Sequence, residues 1–153
     1  MARAARKSKV QPSQQNRKRL RPKRQPGDHN ITDTYGAAIS RGREWISGLQ
    51  SKNGGWASFD ADNTHMYLNN IPFSDHGALL DPPTADVSAR CVSMLAQLGD
   101  RLDTSESLER GLDYLLAEQE PDGSWFGRWG ANYIYGTWSS LCALNAAGMP
   151  HDH

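Results

Sequence analysis

The sequence predicts an all-α fold of paired helices, of the kind that stack into toroids and solenoids. Three observations carry that expectation. A pattern running from an Arg-Gly pair to a tryptophan occurs twice. Each copy has apolar residues at helical spacing and closes in a glycine turn. Each copy is followed by a second helical stripe.

The chain opens with a different kind of sequence. Residues 1–24 carry ten Lys/Arg and no acidic residue, whereas all 17 Asp/Glu fall in the remainder; the composition changes at Gln25-Pro26-Gly27. Val10 and Leu20 are the only large aliphatics of this stretch, too few to offset the entropy of ordering it. Residues 1–30 are therefore read as a basic disordered tail, and 31–153 as the folded part. Nucleic-acid binding, a nuclear-localisation run and a transit peptide are alternatives for the tail. Nothing downstream resembles a nucleic-acid fold, so no nucleic-acid partner is expected.

The repeat comes next. "RGREWISGLQSKNGGW" (41–56) aligns without a gap on "RGLDYLLAEQEPDGSW" (110–125), at an offset of 69 residues. Arg, Gly, an aromatic (Trp45, Tyr114), an aliphatic (Ile46, Leu115), Gln (Gln50, Gln119), Gly (Gly54, Gly123) and Trp (Trp56, Trp125) coincide. Trp45, Ile46 and Leu49, and then Leu112, Leu115 and Leu116, make the apolar stripes of two helices. Asn53-Gly54-Gly55 and Pro121-Asp122-Gly123 stop them. The glutamines sit near the helix ends, where amides reach unpaired carbonyls and the tryptophans fold back; the spacing predicts a helix-end clamp.

About twenty extra residues separate the first clamp from its second helix. A loop of that length is usually functional or disordered; its aromatic and Asp content favours an ordered, functional loop. Within this loop (57–83) lies "DADNT" (60–64), which fails as a calcium loop: His65 stands where the sixth-position glycine belongs and Ile71 where the twelfth-position glutamate belongs. An Asp/Asn turn bonding its own backbone is the simpler reading. The loop ends in "DPPTADVSAR" (81–90). Pro82-Pro83 fixes the backbone, Thr84 or Asp86 is placed to cap the helix that follows, and Asp86 and Arg90 are spaced to pair on one face. A capped surface helix and a polar cluster at a cavity mouth both fit. The second helix, 84–99, has Val87, Cys91, Met94, Leu95 and Leu98 at helical spacing.

The second clamp leads into "GSWFGRWGANYIYGTW" (123–138), with six aromatic residues among interrupting glycines. The glycines argue against a simple helix there. Core packing and a cavity lined by ring faces, which stabilise cations, both fit. A last helix, 136–148, carries Trp138, Leu141, Cys142 and Leu144. Cys91 and Cys142 read as buried, reduced packing residues. No run approaches the length of a membrane span and no signal peptide is recognisable. Neither point bears on attachment to one membrane face.

The clamps, together with "GGWASFDADN", "IPFSDHGALLDPPTADVSARC" and "DGSWFGRWGANYIYGTW", resemble the squalene–hopene cyclase family of triterpene cyclases, over about residues 35–150. The resemblance implies an α/α-barrel segment whose Gln–Trp repeats (Gln50, Trp56, Gln119, Trp125) tie helices together. It implies a squalene-like polyene substrate taken from a membrane surface, a cytoplasmic or peripheral location, and no metal or organic cofactor. Asp86 matches a residue that orients the initiating acid; Arg90 stands where some members have a histidine bonded to that acid. Phe59, Phe73, His76, Trp129 and Tyr135 match positions of the substrate cavity. The family's Asp-x-Asp-Asp-Thr acid motif does not occur in these 153 residues. The expectation is thus a partial cyclase, a truncated product inactive by itself for want of a proton donor. A non-enzymatic helical-repeat module is the alternative, and a nucleic-acid-binding protein driven by the tail is a third.

Overall fold

The computed structural model describes residues 31–63, 65, 67, 70–72 and 80–150. The tail and two expected cavity positions, Phe73 and His76, lie outside the described residues. Within them all regular structure is helical: α1 (Ile31–Gly48), α2 (Ala85–Gln97), α3 (Glu106–Ala117) and α4 (Asn132–Ala146). The all-α expectation holds. α1 and α3 open the two repeat units; α2 and α4 are their second helices.

α2 is the centre of the packing and lies against both α3 and α4. Its buried stripe of Ala85, Ala89, Val92 and Leu95 meets Leu108, Leu112 and Leu115 of α3 and Ala143 of α4. The two clamp tryptophans, Trp56 and Trp125, complete this core. A fully buried indole removes roughly 200 Å² from water, a gross gain on the order of 5 kcal/mol before entropy is counted.

The two units start differently. α3 is capped by Ser105, whose hydroxyl oxygen accepts the Leu108 N–H. Thr84 occupies the N-cap of α2, but its side chain makes no cap bond; its hydroxyl donates to Asp86 Oδ1 at 2.6 Å. The expected capping role of Thr84 or Asp86 gives way to a bond between the two.

The clamps form, with a division of labour between their residues. Trp125 Nε1 donates to the Leu115 carbonyl at 2.6 Å, and Trp56 Nε1 to the Ile46 carbonyl at 2.7 Å. The Gln119 backbone N–H has turned to Leu116, so the indole serves a carbonyl that the α-helix has released. Gln50 Nε2 donates to Gly54 O at 2.8 Å and to Ser107 O at 2.9 Å; Gln119 Nε2 donates to Gly123 O at 3.1 Å. The glutamine closes the turn and the tryptophan ties that turn to its helix. Gln50 also reaches the next unit.

α1 makes little helix–helix contact; Ile46 and the following Leu49 pack against the core, and polar bonds fasten α1 and its turn to residues beyond α2. Arg43 reaches Asp100 at 2.8 Å, and Arg110 Nη2 donates to the carbonyls of Ser51 and Lys52, both at 3.0 Å.

The cysteine expectation is corrected in part. Cys91 is partly buried, and burial pushes its thiol up to about 12. Cys142 is exposed, because α4 turns Ala143, Ser139 and Ser140 toward α2 and leaves Ile134, Trp138, Leu141 and Cys142 outside.

Candidate functional site

Two carboxylates lie at the heart of the candidate site. Asp86, in the first turn of α2, and Asp81, just before Pro82-Pro83, are both fully buried. A residue preceding proline is confined to extended backbone, so Asp81 is aimed before the helix begins. Trp129 joins the two. Its backbone N–H donates to Asp86 Oδ2 at 2.8 Å. Its indole N–H is shared between Ser58 Oγ at 2.7 Å and Asp81 Oδ2 at 3.1 Å. Ser58 Oγ in turn donates to Asp81 Oδ2 at 2.8 Å. Arg128 places Nε 2.6 Å from Asp81 Oδ1. That oxygen has no aligned hydrogen bond among the described residues, so the contact is ionic rather than directional.

Buried charge is costly unless paired and bonded. Here Asp81 takes hydrogen bonds from Ser58 of the long loop and Trp129 of the aromatic turn and an ion pair from Arg128, while Asp86 takes hydrogen bonds from its neighbour Thr84 and from Trp129. The arrangement fixes Trp129 at both its backbone and its ring, and so fixes the turn that carries the other aromatics.

That turn corrects an expectation. The glycines of 123–138 do not exclude a helix; α4 starts at Asn132 and includes Gly136. A Cβ on Gly136 would lie 2.5 Å from the Trp125 carbonyl oxygen and 2.6 Å from Gly127 N, and one on Gly127 would lie 3.0 Å from Gly136 N. The two glycines let the turn cross the first turn of α4 backbone to backbone. They are present for close approach, not to break the helix.

Of the expected site residues, Asp86, Trp129 and Tyr135 fall in this region. Tyr135 is half-buried; its ring covers Gly130 and lies 5.9 Å from that of Trp138. Phe126 and Tyr133 meet edge to face at 5.4 Å. A recess of about 420 Å³ is lined by Phe126, Arg128, Trp129 and Gly130. Phe59 follows the anchored Ser58 but is 56% exposed. A smaller cavity of about 160 Å³ lies elsewhere, beside the second clamp at Gln119 and Trp125.

Asp86 and Arg90 do not pair. Both Asp86 oxygens are taken inside the core, whereas Arg90 is exposed and its guanidinium stacks over the Trp138 ring at 5.7 Å. The shared helix face is real, but one end of it is buried and the other faces solvent.

"DADN" is a turn. Asp60 accepts from Asn63 Nδ2 at 2.9 Å, and Asp62 adopts φ +57°. The Asp62 carboxylate accepts the Lys52 backbone N–H at 2.8 Å, a bond that holds its pKa below the usual carboxylate value. Among the described residues no three His, Cys, Asp or Glu side chains converge as a metal site requires.

Asp81, Ser58 and Arg128 were missed in the sequence. For Asp81 a signal existed: an acid placed directly before a double proline. Ser58 and Arg128 carry none, since only the fold brings them to Asp81.

Residues 25–153 match the squalene–hopene cyclase C-terminal domain, a match that begins at the change in composition and earlier than the motifs alone indicate. Over 125 residues, 82% of this chain, it is 66% identical to squalene–hopene cyclase of Bradyrhizobium diazoefficiens. Over 124 residues, 81% of the chain, it is 64% identical to that of Zymomonas mobilis. A third, from Schizosaccharomyces japonicus, is 67% identical over 112 residues, 73% of the chain. The chain spans 19% of the first two relatives and 17% of the third, about a fifth of their length.

Proposed function

Since the chain belongs to the squalene–hopene cyclase family, within its C-terminal domain, we propose that it forms part of the cavity in which such an enzyme cyclises squalene or a related polyene. The observation that carries this is the pair of buried carboxylates, Asp81 and Asp86, held by one tryptophan. A proton added to a terminal double bond, and a proton lost from the final cation, leave the formula unchanged; the reaction is an isomerisation. Asp86 is a positioning residue for the acid that delivers the first proton. The ring faces of Trp129, Tyr135 and Phe59 stabilise cationic intermediates through their quadrupoles.

The acid comes from outside these 153 residues, and the isolated chain turns over no substrate. No described helix is long and apolar enough to cross a membrane; uptake of an apolar polyene proceeds at a membrane surface to which the whole enzyme binds on one face.

The test has two arms. The chain incubated with detergent-dispersed squalene yields no hopene by gas chromatography and mass spectrometry; turnover would overturn its inactivity. Grafted into the Bradyrhizobium enzyme in place of the stretch it matches, it supports hopene formation, and Asp86→Asn in the graft shifts the pH profile of kcat. A folded graft without activity would overturn the cavity role.

A further inference from the structure

Trp129 differs from the two clamp tryptophans in what accepts its indole N–H. Trp56 and Trp125 donate to the backbone carbonyls of Ile46 and Leu115, so a neutral acceptor is enough to hold each clamp turn. Trp129 donates instead to Ser58 Oγ and to Oδ2 of Asp81, a fully buried carboxylate. Holding a turn does not require that charge. Nor is a buried ion pair a good source of stability, because desolvation offsets much of the attraction. The charge on Asp81 has a further task.

The two carboxylates divide Trp129 between them. Asp86 accepts its backbone N–H and so fixes where the residue stands. Asp81 accepts its ring N–H. The oxygens of Asp81 are divided in turn: Oδ1 lies 2.6 Å from Arg128 Nε, whereas Oδ2 lies 3.1 Å from the indole nitrogen and 2.8 Å from the Ser58 hydroxyl. Arg128 thus balances the carboxylate from the oxygen that does not face the ring. Ser58 donates to Oδ2 while accepting from the indole at 2.7 Å, and hydrogen bonds linked in this way polarise one another. An N–H that donates to an anion pushes electron density into its own ring. An electron-richer face attracts a cation more strongly, since the attraction is that of the ring quadrupole.

We propose that Asp81, with Ser58 as its relay, is a positioning residue that acts through Trp129: it sets the plane of the ring and raises the electron density that the ring offers to a hydrocarbon cation. The inference rests on the cavity role of Trp129 given above and adds the groups that tune it. Asp81 and Ser58 touch no reacting atom.

Two readouts test it. The first needs no substrate. In the full chain, isotopically labelled at its five tryptophans, the Trp129 indole N–H gives the magnetic-resonance signal that disappears in Trp129→Phe. Asp81→Asn moves that proton upfield and speeds its exchange with solvent, while the signals of Trp56 and Trp125 stay in place. Ser58→Ala speeds the exchange with a smaller displacement, and Ser58→Thr, which keeps the hydroxyl, reverses it. A Trp129 signal indifferent to Asp81→Asn would overturn the proposal. The second readout is squalene turnover by the Bradyrhizobium graft. Asp81→Asn lowers kcat about tenfold, the factor that corresponds to about 1.4 kcal/mol of barrier. KM is unchanged, because squalene carries no charge until the reaction begins. Ser58→Ala lowers kcat by a smaller factor and Ser58→Thr restores it. A raised KM at unchanged kcat would overturn the proposal, as would equal losses from Ser58→Ala and Ser58→Thr. Should Asp81→Asn not fold, the two variants at Ser58, an exposed residue, decide by the same criteria. A folded graft that is inactive before any substitution removes the cavity role and the cation with it, whereas the indole signal still shows whether Asp81 and Ser58 hold the ring.

Discussion

Trp129 donates its backbone N–H to Asp86 across 43 residues of sequence, at 2.8 Å. Neither partner is replaceable locally, because the carboxylate is fully buried. Asp86→Ala leaves the Trp129 N–H and the Thr84 hydroxyl without their acceptor. The expected loss is about 2–4 kcal/mol, the scale of charge-assisted bonds with stranded partners. Asp86→Asn keeps the shape and one acceptor oxygen, so a smaller loss is expected. Urea unfolding of the two variants checks the order.

The two clamps predict an asymmetry. Gln50 is part-buried and makes two bonds, one of them to the second unit; Gln119 is exposed and makes one. Gln50→Ala should cost about 1–2 kcal/mol more than Gln119→Ala. Equal costs in a denaturant series would show that the bond to Ser107 contributes nothing.

The cysteines predict selective labelling. Burial holds the Cys91 thiol near 12, so at pH 8 it presents almost no thiolate, the reactive form. Cys142 is exposed. Iodoacetamide on the native protein should modify Cys142 and spare Cys91, with both modified in denaturant; peptide mass spectrometry gives the ratio.

Asp100 predicts a pH dependence. Desolvation works to raise its pKa, but the hydrogen bonds from Arg43 and Ser105 and the Arg43 charge together outweigh it and lower the value. A carboxylate depressed on folding contributes stability that is present above its unfolded pKa, about 3.9, and is lost as pH falls through the folded value. Stability should therefore decline below about pH 4, and Asp100→Asn should flatten that part of the profile. A chemical denaturation series between pH 3 and 6 tests it.

The helices were legible because their cause is local. Apolar spacing and glycine stops mark α2 and α3 in any context, and the duplicated clamp exposed the architecture without a partner structure. The site was legible only in part. Asp86 and Trp129 stand out in the sequence, but what joins them is the path of the chain. The Asp86–Arg90 pairing failed because helical spacing says which residues share a face and not how deeply each is buried. Gly136 misled for a related reason: its backbone neighbour, Gly127, is set by a crossing that no local rule contains. Cys142 followed the apolar stripe of α4 outward, onto a face that nothing described covers.

The fastenings of α1 and the turn that follows it join residues far apart in the chain: Gln50 to Ser107 and Arg43 to Asp100 span 57 positions, and Arg110 to Ser51 spans 59. During synthesis, α1 and its turn therefore leave the ribosome well before the groups that fasten them exist. α1 waits on the emergence of α3, and its final placement falls late in folding, when closure of that long loop is rewarded by several bonds at once.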